Sequence, residues 1–181
     1  MEKKIAVIDY GMGNLKNVKN AFSFLGYSAK ITGGFEDIKN ATHLVLPGVG
    51  GFKDAMATLK RNELVNPIKD AITEGKKFLG ICLGMQLLFE TSEEFGYSEG
   101  LGIFKGKVVK FDENAVNLIP HIGWNDVEIL KPLEEFKGIE DKSFFIFFIL
   151  IIAFPKKILL RRFAITTANL RLLPKHYFCG F

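Results

Sequence analysis

The 181-residue chain is poor in cysteine, with only Cys82 and Cys179. Two cysteines are too few for the disulfide framework of a small secreted domain. Residues 1–4 lead directly into a short apolar run, so no signal-peptide pattern is present. We therefore expect a reducing compartment, the cytoplasm.

Acidic residues are missing from the last 40 positions. From Lys142 to Phe181 the chain carries seven Lys or Arg and no Asp or Glu. Removing these seven from the 24 basic residues leaves 17 against 20 acidic residues up to Asp141, a net charge of −3. The formal charge of +4 therefore belongs to the tail and does not indicate nucleic-acid binding by the whole domain.

A long hydrophobic run is also lacking. The eleven residues 144–154 are all apolar, but Pro155 and two lysines follow them. A membrane-spanning helix needs about 20 apolar residues, so we predict no membrane segment. The stretch is uncharged and rich in β-formers, which favours a buried strand or an exposed, aggregation-prone one.

Apolar runs alternate with helical patterns over roughly the first 90 residues. Residues 5–8 are continuously apolar, as is typical of a strand buried in a parallel sheet. The alternation predicts an α/β domain with a mostly parallel sheet, followed from Gly100 to Ile129 by an antiparallel or loop-rich extension. The predicted strands are 5–8, 29–32, 43–46 and 78–81, and the predicted helices are 14–25, 52–60, 64–72 and one from Gly84 to Phe89.

Residues 80–84, Gly-Ile-Cys-Leu-Gly, have the form of a nucleophile elbow between a strand and a helix. The small residues permit a sharp turn, and a helix N-terminus favours the thiolate of Cys82. The alternative is a structural, buried cysteine beside two packing glycines. The strand-turn-helix context and Gln86 one turn later favour the functional interpretation.

Three further segments carry weaker signals. Residues 47–51, Pro-Gly-Val-Gly-Gly, follow a strand and suit an oxyanion hole, although an ordinary strand-to-helix turn has the same pattern. Residues 10–14, Tyr-Gly-Met-Gly-Asn, lack the full spacing of a dinucleotide site. Residues 120–125 combine a histidine, the single tryptophan and an asparagine, and a tryptophan anchoring a small core is a fair alternative there.

Together these segments resemble the glutaminase subunit of imidazole glycerol phosphate synthase, a class I, triad-type glutamine amidotransferase. The motifs are Tyr-Gly-Met-Gly-Asn-Leu at 10–15, Leu-Pro-Gly-Val-Gly at 46–50, Gly-Ile-Cys-Leu-Gly-Met-Gln at 80–86 and Pro-His-Ile-Gly-Trp-Asn at 120–125. The resemblance covers residues 1 to about 145. It implies a flavodoxin-like α/β fold, with helices flanking the sheet and an incomplete C-terminal part.

The resemblance also implies roles for individual residues. Cys82 would attack glutamine, releasing ammonia for a cyclase subunit that makes imidazole glycerol phosphate in histidine biosynthesis. The two subunits would form a heterodimer, with no metal, organic cofactor, nucleic acid or membrane involved. The oxyanion and substrate-binding residues would be Gly48, Val49, Gly50, Leu83 and Gln86. The residues facing the cyclase would be Tyr10, Gly11, Asn14, His121, Trp124 and Asn125.

The catalytic base is where this sequence departs from the family pattern. A cysteine nucleophile needs a base and an acid that orients it, and the family takes both from a late His-Pro-Glu segment. This chain has His43 at the start of a strand, His121 in the fourth motif, and His176 with no acid after Asp141. The triad cannot be completed from the motif positions.

The departure begins after Phe145 and has the form of a frameshift. The family continues there with a pattern such as Tyr-Phe-Phe-His-Ser-Tyr-Tyr. Written as TAT TTT TTT CAT TCT TAT TAT and shifted by one base, that pattern encodes Ile-Phe-Phe-Ile-Leu-Ile-Ile, the residues found at 146–152. We therefore divide the chain into an incomplete amidotransferase domain, 1–145, and an aberrant tail, 146–181. We expect residues 146–152 to pair as a strand and the chain beyond Pro155 to be irregular or poorly packed.

Two other functions fit the same residues. The chain could be a non-catalytic docking partner of the cyclase, which would then use external ammonia. It could also serve a related synthase that aminates surface-sugar precursors. In either case the missing base predicts defective glutamine hydrolysis by this chain.

Overall fold

The structure, a computed structural model, describes residues 3–110, 121–129, 136–149, 151–155, 163–165 and 170–172. The elements in chain order are β1 (Ile5–Ile8), α1 (Leu15–Phe24), β2 (Ala29–Thr32), α2 (Phe35–Asn40), β3 (His43–Gly48), α3 (Phe52–Arg61), α4 (Val65–Thr73), β4 (Lys77–Cys82), α5 (Leu83–Gln86), β5 (Phe89–Ser92), β6 (Ser98–Glu99), β7 (Phe104–Lys110), β8 (His121–Ile129), β9 (Phe144–Ile149), β10 (Ile151–Pro155), β11 (Phe163–Ile165) and β12 (Leu170–Leu172).

A five-stranded parallel sheet forms the centre of the molecule, in the order β2-β1-β3-β4-β11. This is the flavodoxin-like order, so the predicted fold class is confirmed. The connections reverse direction between β1 and β3, and ligands of such sheets bind near that point, outside the carboxyl ends of the strands. Gly48 of β3 and Cys82 of β4 are register partners at that edge.

Two apolar layers cover the sheet unequally. One face, which includes Ile8 and Leu46, packs against α2, α3 and α4 in a large cluster of fully buried side chains. The other face carries a smaller cluster built on Val7 and Val45, against which only α1 packs among the described helices. No residue of α1 is fully buried. Parallel sheets are normally covered on both faces. On this face the described residues leave Leu79 and Ile81 only partly buried, so they close it incompletely.

The four predicted strands are present, and β3 and β4 extend slightly beyond the predicted bounds. The predicted helix from Gly84 to Phe89 is too long: α5 ends at Gln86, and Phe89 begins β5. Tertiary packing explains the difference, because Phe89 is buried against Phe104 with ring centroids 5.8 Å apart. Helix α2 was not predicted from the sequence, because its six residues are too few for a clear helical pattern.

Two smaller sheets follow the central one. The first has the order β10-β7-β5-β6 and the second is antiparallel, in the order β12-β8-β9. These strands include the antiparallel extension predicted after Gly100. No helix within the described ranges is long and apolar enough to cross a membrane.

The hydrophobic stretch after Lys142 forms β9 and β10, so the expected strand pairing of residues 146–152 is confirmed for the positions that the structure describes. Beyond Pro155 two short segments, β11 and β12, form strands and so depart from the expected irregularity, whereas the expected poor packing of this part stays a prediction. The apolar residues of β11 add a parallel strand beside β4, and β12 pairs with β8. The remaining positions beyond Pro155 lie outside the described residues.

Candidate active site

Cys82 stands at the carboxyl end of β4 and immediately precedes α5. Its backbone has φ 54° and ψ −117°, a region that residues with a Cβ rarely adopt. Its side chain is an exposed free thiol. A strained residue between a strand and a helix, with its side chain outside the fold, has the geometry of a nucleophile elbow. The exposed thiol favours this interpretation over a buried structural cysteine.

The two glycines around Cys82 make the sharp turn sterically possible. A Cβ on Gly80 would lie 2.7 Å from the Met85 Cα, and a Cβ on Gly84 would overlap the carbonyl oxygen of Leu46. Both neighbours are backbone atoms, which cannot swing aside as a flexible side chain would. The close approach of α5 to β3 and β4 therefore requires glycine at both positions.

The oxyanion segment, residues 48–50, lies directly beside this turn. A Cβ on Gly48 would approach the Gly84 nitrogen and the Leu83 Cβ to 3.0 Å. Gly50 has φ 97°, which favours glycine, and Val49 is exposed. The structure thus brings the predicted oxyanion segment against Leu83, whose side chain is buried and whose amide begins α5. Gln86, one turn after Cys82, is half-buried.

Tyr10 lies beneath the oxyanion segment. Its side chain is fully buried, and its hydroxyl would be 2.6 Å from a Cβ on Gly48. That hydroxyl has no hydrogen-bond partner among the described residues. Burial raises the pKa of Tyr10 to about 12, with a further contribution from the nearby Cys82. Tyr10 was expected to face the cyclase. Its side chain instead points into the core, because the loop after β1 turns it inward.

The rest of the loop after β1 also contacts the oxyanion segment. A Cβ on Gly13 would lie 3.5 Å from the Gly48 nitrogen, and one on Gly50 would lie 3.1 Å from the Met12 methyl carbon. Asn62, just after α3, holds the same loop through a hydrogen bond from its Nδ2 to the Tyr10 carbonyl oxygen, 3.4 Å away. Residues 10–13 therefore form a support under residues 48–50.

Glu94 belongs to the same neighbourhood, although the sequence analysis did not identify it. Its carboxylate accepts a hydrogen bond of 2.9 Å from the Phe52 N–H, at the first residue of α3. This contact ties the loop after β5 to the start of the helix that follows the oxyanion segment. Glu94 lies 42 positions from Phe52 in the chain, and no local sequence pattern predicts a contact over that separation.

The residues expected to face the cyclase are distributed over two elements. Gly11 and Asn14 are exposed, and the Asn14 side chain caps α1 by accepting a hydrogen bond from the Asn17 N–H. Trp124 is 69% exposed on β8, which excludes a tryptophan anchoring a core. His121 and Asn125 are also on β8, opposite Ile149 and Phe145 of β9. Their side chains lie outside the described residues.

Among the described side chains, no histidine lies near Cys82. His43 begins β3, whereas Cys82 pairs with Gly48 at the other end of that strand, about 16 Å away at roughly 3.3 Å per residue. Burial lowers the pKa of His43, and the Lys3 and Lys77 charges lower it further. His176 lies outside the described residues. Within the described part of the chain, no group of three or more His, Cys, Asp or Glu side chains could hold a metal ion.

Comparison with known proteins gives a family match to most of the chain. The family model of the class-I glutamine amidotransferases matches residues 6–145. The imidazole glycerol phosphate synthase subunit HisH of Caldanaerobacter subterraneus subsp. tengcongensis is 51% identical over 143 residues, covering 79% of this chain and 70% of the relative. The subunit of that name from Syntrophotalea carbinolica is 46% identical over 141 residues, covering 75% of this chain and 68% of the relative.

Solved structures support the fold independently. A crystal structure of a glutamine amidotransferase superposes on this chain with a TM-score of 0.62, covering 85% of this chain and 74% of the other. The two sequences are 18% identical, so this likeness concerns the fold alone.

Proposed function

Because this chain belongs to the class-I glutamine amidotransferases, and within them to the HisH subunits of imidazole glycerol phosphate synthase, we propose that Cys82 is the nucleophile of its glutaminase site. In this family the subunit hydrolyses glutamine to glutamate and ammonia for histidine biosynthesis. The observation that carries the assignment is the strained, exposed Cys82 at the end of β4, one strand from Gly48. The strand-turn-helix geometry gives its thiol open access to a substrate.

The reaction follows from this arrangement. The Cys82 thiolate attacks the side-chain amide carbon of glutamine, forming a C–S bond and placing negative charge on the amide oxygen. Backbone N–H groups of residues 48–50 and of Leu83 would hold this oxyanion. The C–N bond then breaks, and nitrogen leaves as ammonia after gaining a proton. Water cleaves the thioester, which gives glutamate and returns the thiol.

Gln86 is proposed to help hold the glutamine. It is half-buried one helical turn after Cys82, on the short helix whose first residues pack against Gly48. An amide side chain can donate to and accept from the α-carboxylate and α-amino groups that distinguish glutamine from a simple amide. Its position therefore suits substrate orientation rather than bond cleavage.

We also propose that the chain changes reading frame after Phe145. The family match ends at residue 145, which supports the division into an incomplete amidotransferase domain, 1–145, and an aberrant tail, 146–181. As it stands, the chain supplies a nucleophile and an oxyanion segment but no described base.

The partner proposed for this chain is a cyclase subunit that consumes the ammonia. Exposed positions on two elements support it: Gly11 and Asn14 beside α1, and Trp124 on β8. The missing base and this exposed surface also support a second function, in which the chain docks on the cyclase without hydrolysing glutamine. The cytoplasmic location expected from the two cysteines remains a prediction.

Glutamine-dependent ammonia release in the presence of cyclase tests these proposals. We expect the chain as it stands to be near background and a chain with the reading frame restored after codon 145, including a late His-Pro-Glu segment, to be active. C82S in the restored chain should lose at least about 1,000-fold in kcat, as removal of a nucleophile does. Normal turnover by the unrestored chain would refute the frameshift, and an active C82S variant would refute the nucleophile.

A further inference from the structure

The hydroxyl of Tyr10 is a buried polar group that the proposed mechanism does not use. It sits in the large core cluster with Leu46 and Leu83, fully removed from solvent. It has no hydrogen-bond partner among the described residues. A phenylalanine would fill the same space without desolvating a hydroxyl, so this group lowers the stability of the resting fold. An unsatisfied buried group calls for an explanation, and a role in a neighbouring site is one such explanation.

The position of the hydroxyl indicates what it could serve. It occupies the space that a Gly48 side chain would take, 2.6 Å from the missing Cβ. The same Gly48 position is within 3.0 Å of the Gly84 nitrogen and the Leu83 Cβ. The hydroxyl and the first turn of α5 therefore border the same space beside the Gly48 Cα.

The Tyr10 backbone is fixed independently of this contact. Asn62 donates a hydrogen bond to the Tyr10 carbonyl oxygen from the end of α3, and β1 holds the preceding residues between β2 and β3. The ring is therefore anchored at one end while its hydroxyl bears on Gly48 at the other. This is the arrangement of a rigid spacer.

We propose that Tyr10 is a positioning residue. It holds the oxyanion segment, residues 48–50, at the distance from Cys82 that a bound carbonyl oxygen requires. The inference rests on the proposed glutaminase function. It assigns to the hydroxyl an effect on carbonyl binding and none on the intrinsic reactivity of the Cys82 thiol.

Two alkylating reagents separate these effects in the chain as it exists. A chloromethyl ketone analogue of glutamine alkylates a thiol while its carbonyl oxygen occupies the oxyanion hole. Iodoacetamide alkylates by direct displacement at carbon and needs no oxyanion hole. Alkylation of Cys82 is followed by mass spectrometry, and the urea midpoint of each variant is measured alongside.

We expect Y10F to slow alkylation by the chloromethyl ketone at least 5-fold, to leave iodoacetamide alkylation within 2-fold, and to leave the urea midpoint unchanged or higher. Y27F is the matched control, because Tyr27 is partly exposed and its hydroxyl accepts a hydrogen bond from Lys3. It should change neither rate.

Three results would overturn the inference. Equal slowing by both reagents would place the effect on the thiol, a lowered urea midpoint with slower alkylation would make Tyr10 merely structural, and unchanged rates would leave the hydroxyl without a role. A separate comparison tests the proposed glutaminase function on which the inference rests. If the unsubstituted chain shows no preference for the glutamine analogue over chloroacetone, the glutaminase assignment itself fails, and this inference fails with it.

Discussion

At the level of single residues, the geometry of the candidate site depends on glycines that have no side chain as much as on the side chains that are present. Gly48, Gly80 and Gly84 each leave room for a neighbour that any side chain would displace. Tyr10 then fills the space next to Gly48 with a hydroxyl. Steric exclusion at these positions fixes where the exposed thiol of Cys82 stands relative to the oxyanion segment.

Gly84→Ala should be strongly destabilising. The added methyl group would overlap the Leu46 carbonyl oxygen, a backbone atom of β3, so the strand or α5 must move. We expect a loss of about 3 kcal/mol or more in the free energy of unfolding, measured by urea titration. Gly51→Ala is the control, since a Cβ there meets no atom closer than 3.6 Å. Equal effects of the two substitutions would contradict the steric account.

The buried phenol of Tyr10 should make stability depend on alkaline pH. Its pKa is raised to about 12 in the folded chain, whereas an unfolded tyrosine titrates near 10. Between these values the unfolded state loses the proton first, so stability falls as pH rises from about 10 to 12 and is unaffected by this group below that range. The total loss should be about 2–3 kcal/mol, from two pKa units.

Urea unfolding at pH 9 and at pH 11.5 measures this effect. Y10F should remove most of the difference between the two pH values, whereas Y27F retains Tyr10 and should retain the difference. A Y10F variant with an undiminished alkaline loss would show that other groups cause it.

At the scale of elements, the central sheet has one well-covered face and one partly covered face. Helices α2, α3 and α4 close the first, and α1 alone packs on the second among the described helices. Successive residues of a strand point to opposite faces, so β3 and β4 contribute to both layers. Core substitutions should therefore have different effects on the two faces.

Leu44→Ala and Leu79→Ala compare the two faces directly. Leu44 is buried in the large cluster, whereas Leu79 is only partly buried on the α1 side. We expect Leu44→Ala to cost about 2–5 kcal/mol of unfolding free energy and Leu79→Ala less than about 2 kcal/mol, because water already contacts part of Leu79. Urea titration of both variants measures the costs, and equal values would mean that the second face is covered as well as the first.

The same two variants also test whether a restored tail covers the second face of the sheet. If the restored reading frame supplies the missing cover, the cost of Leu79→Ala should rise in the restored chain, while that of Leu44→Ala stays the same. An unchanged cost at Leu79 would show that the restored tail packs elsewhere.

Over the whole molecule, an accessible candidate site at one sheet edge is combined with an exposed apolar face on the last antiparallel sheet. Trp124 and Ile146 are directly opposite each other on β8 and β9, and Phe144 lies two residues along the same face. All three are more than half exposed. Exposed clusters of large apolar side chains are typical of interaction surfaces and of aggregation-prone strands, and the cyclase contact proposed for Trp124 requires the first of these.

Trp124→Ala should weaken binding to the cyclase subunit at least 10-fold, because exposed aromatic residues often dominate such interfaces. Isothermal titration calorimetry with purified cyclase measures the affinity. Phe24→Ala is the control, since Phe24 is 91% exposed at the end of α1, outside the proposed interface. Equal effects of the two substitutions would argue against a partner surface on β8.

The class of fold and the candidate nucleophile Cys82 could both be predicted from the sequence. Continuous apolar runs, helical spacing and glycines around Cys82 are local signals, because each reflects a constraint that acts within a few residues. A different local signal, an apolar and acid-free stretch, suggested the proposed change of reading frame after Phe145.

The contacts between distant segments became visible only in the folded chain. The fold turns Tyr10 inward under Gly48, brings Glu94 to the start of α3 and ends α5 at Gln86. Among the described residues, it also leaves Leu79 and Ile81 only partly buried on one face of the sheet. These outcomes depend on packing between residues tens of positions apart, and such contacts form only when the whole sheet is assembled. The spacing of residues along the chain therefore does not predict these contacts.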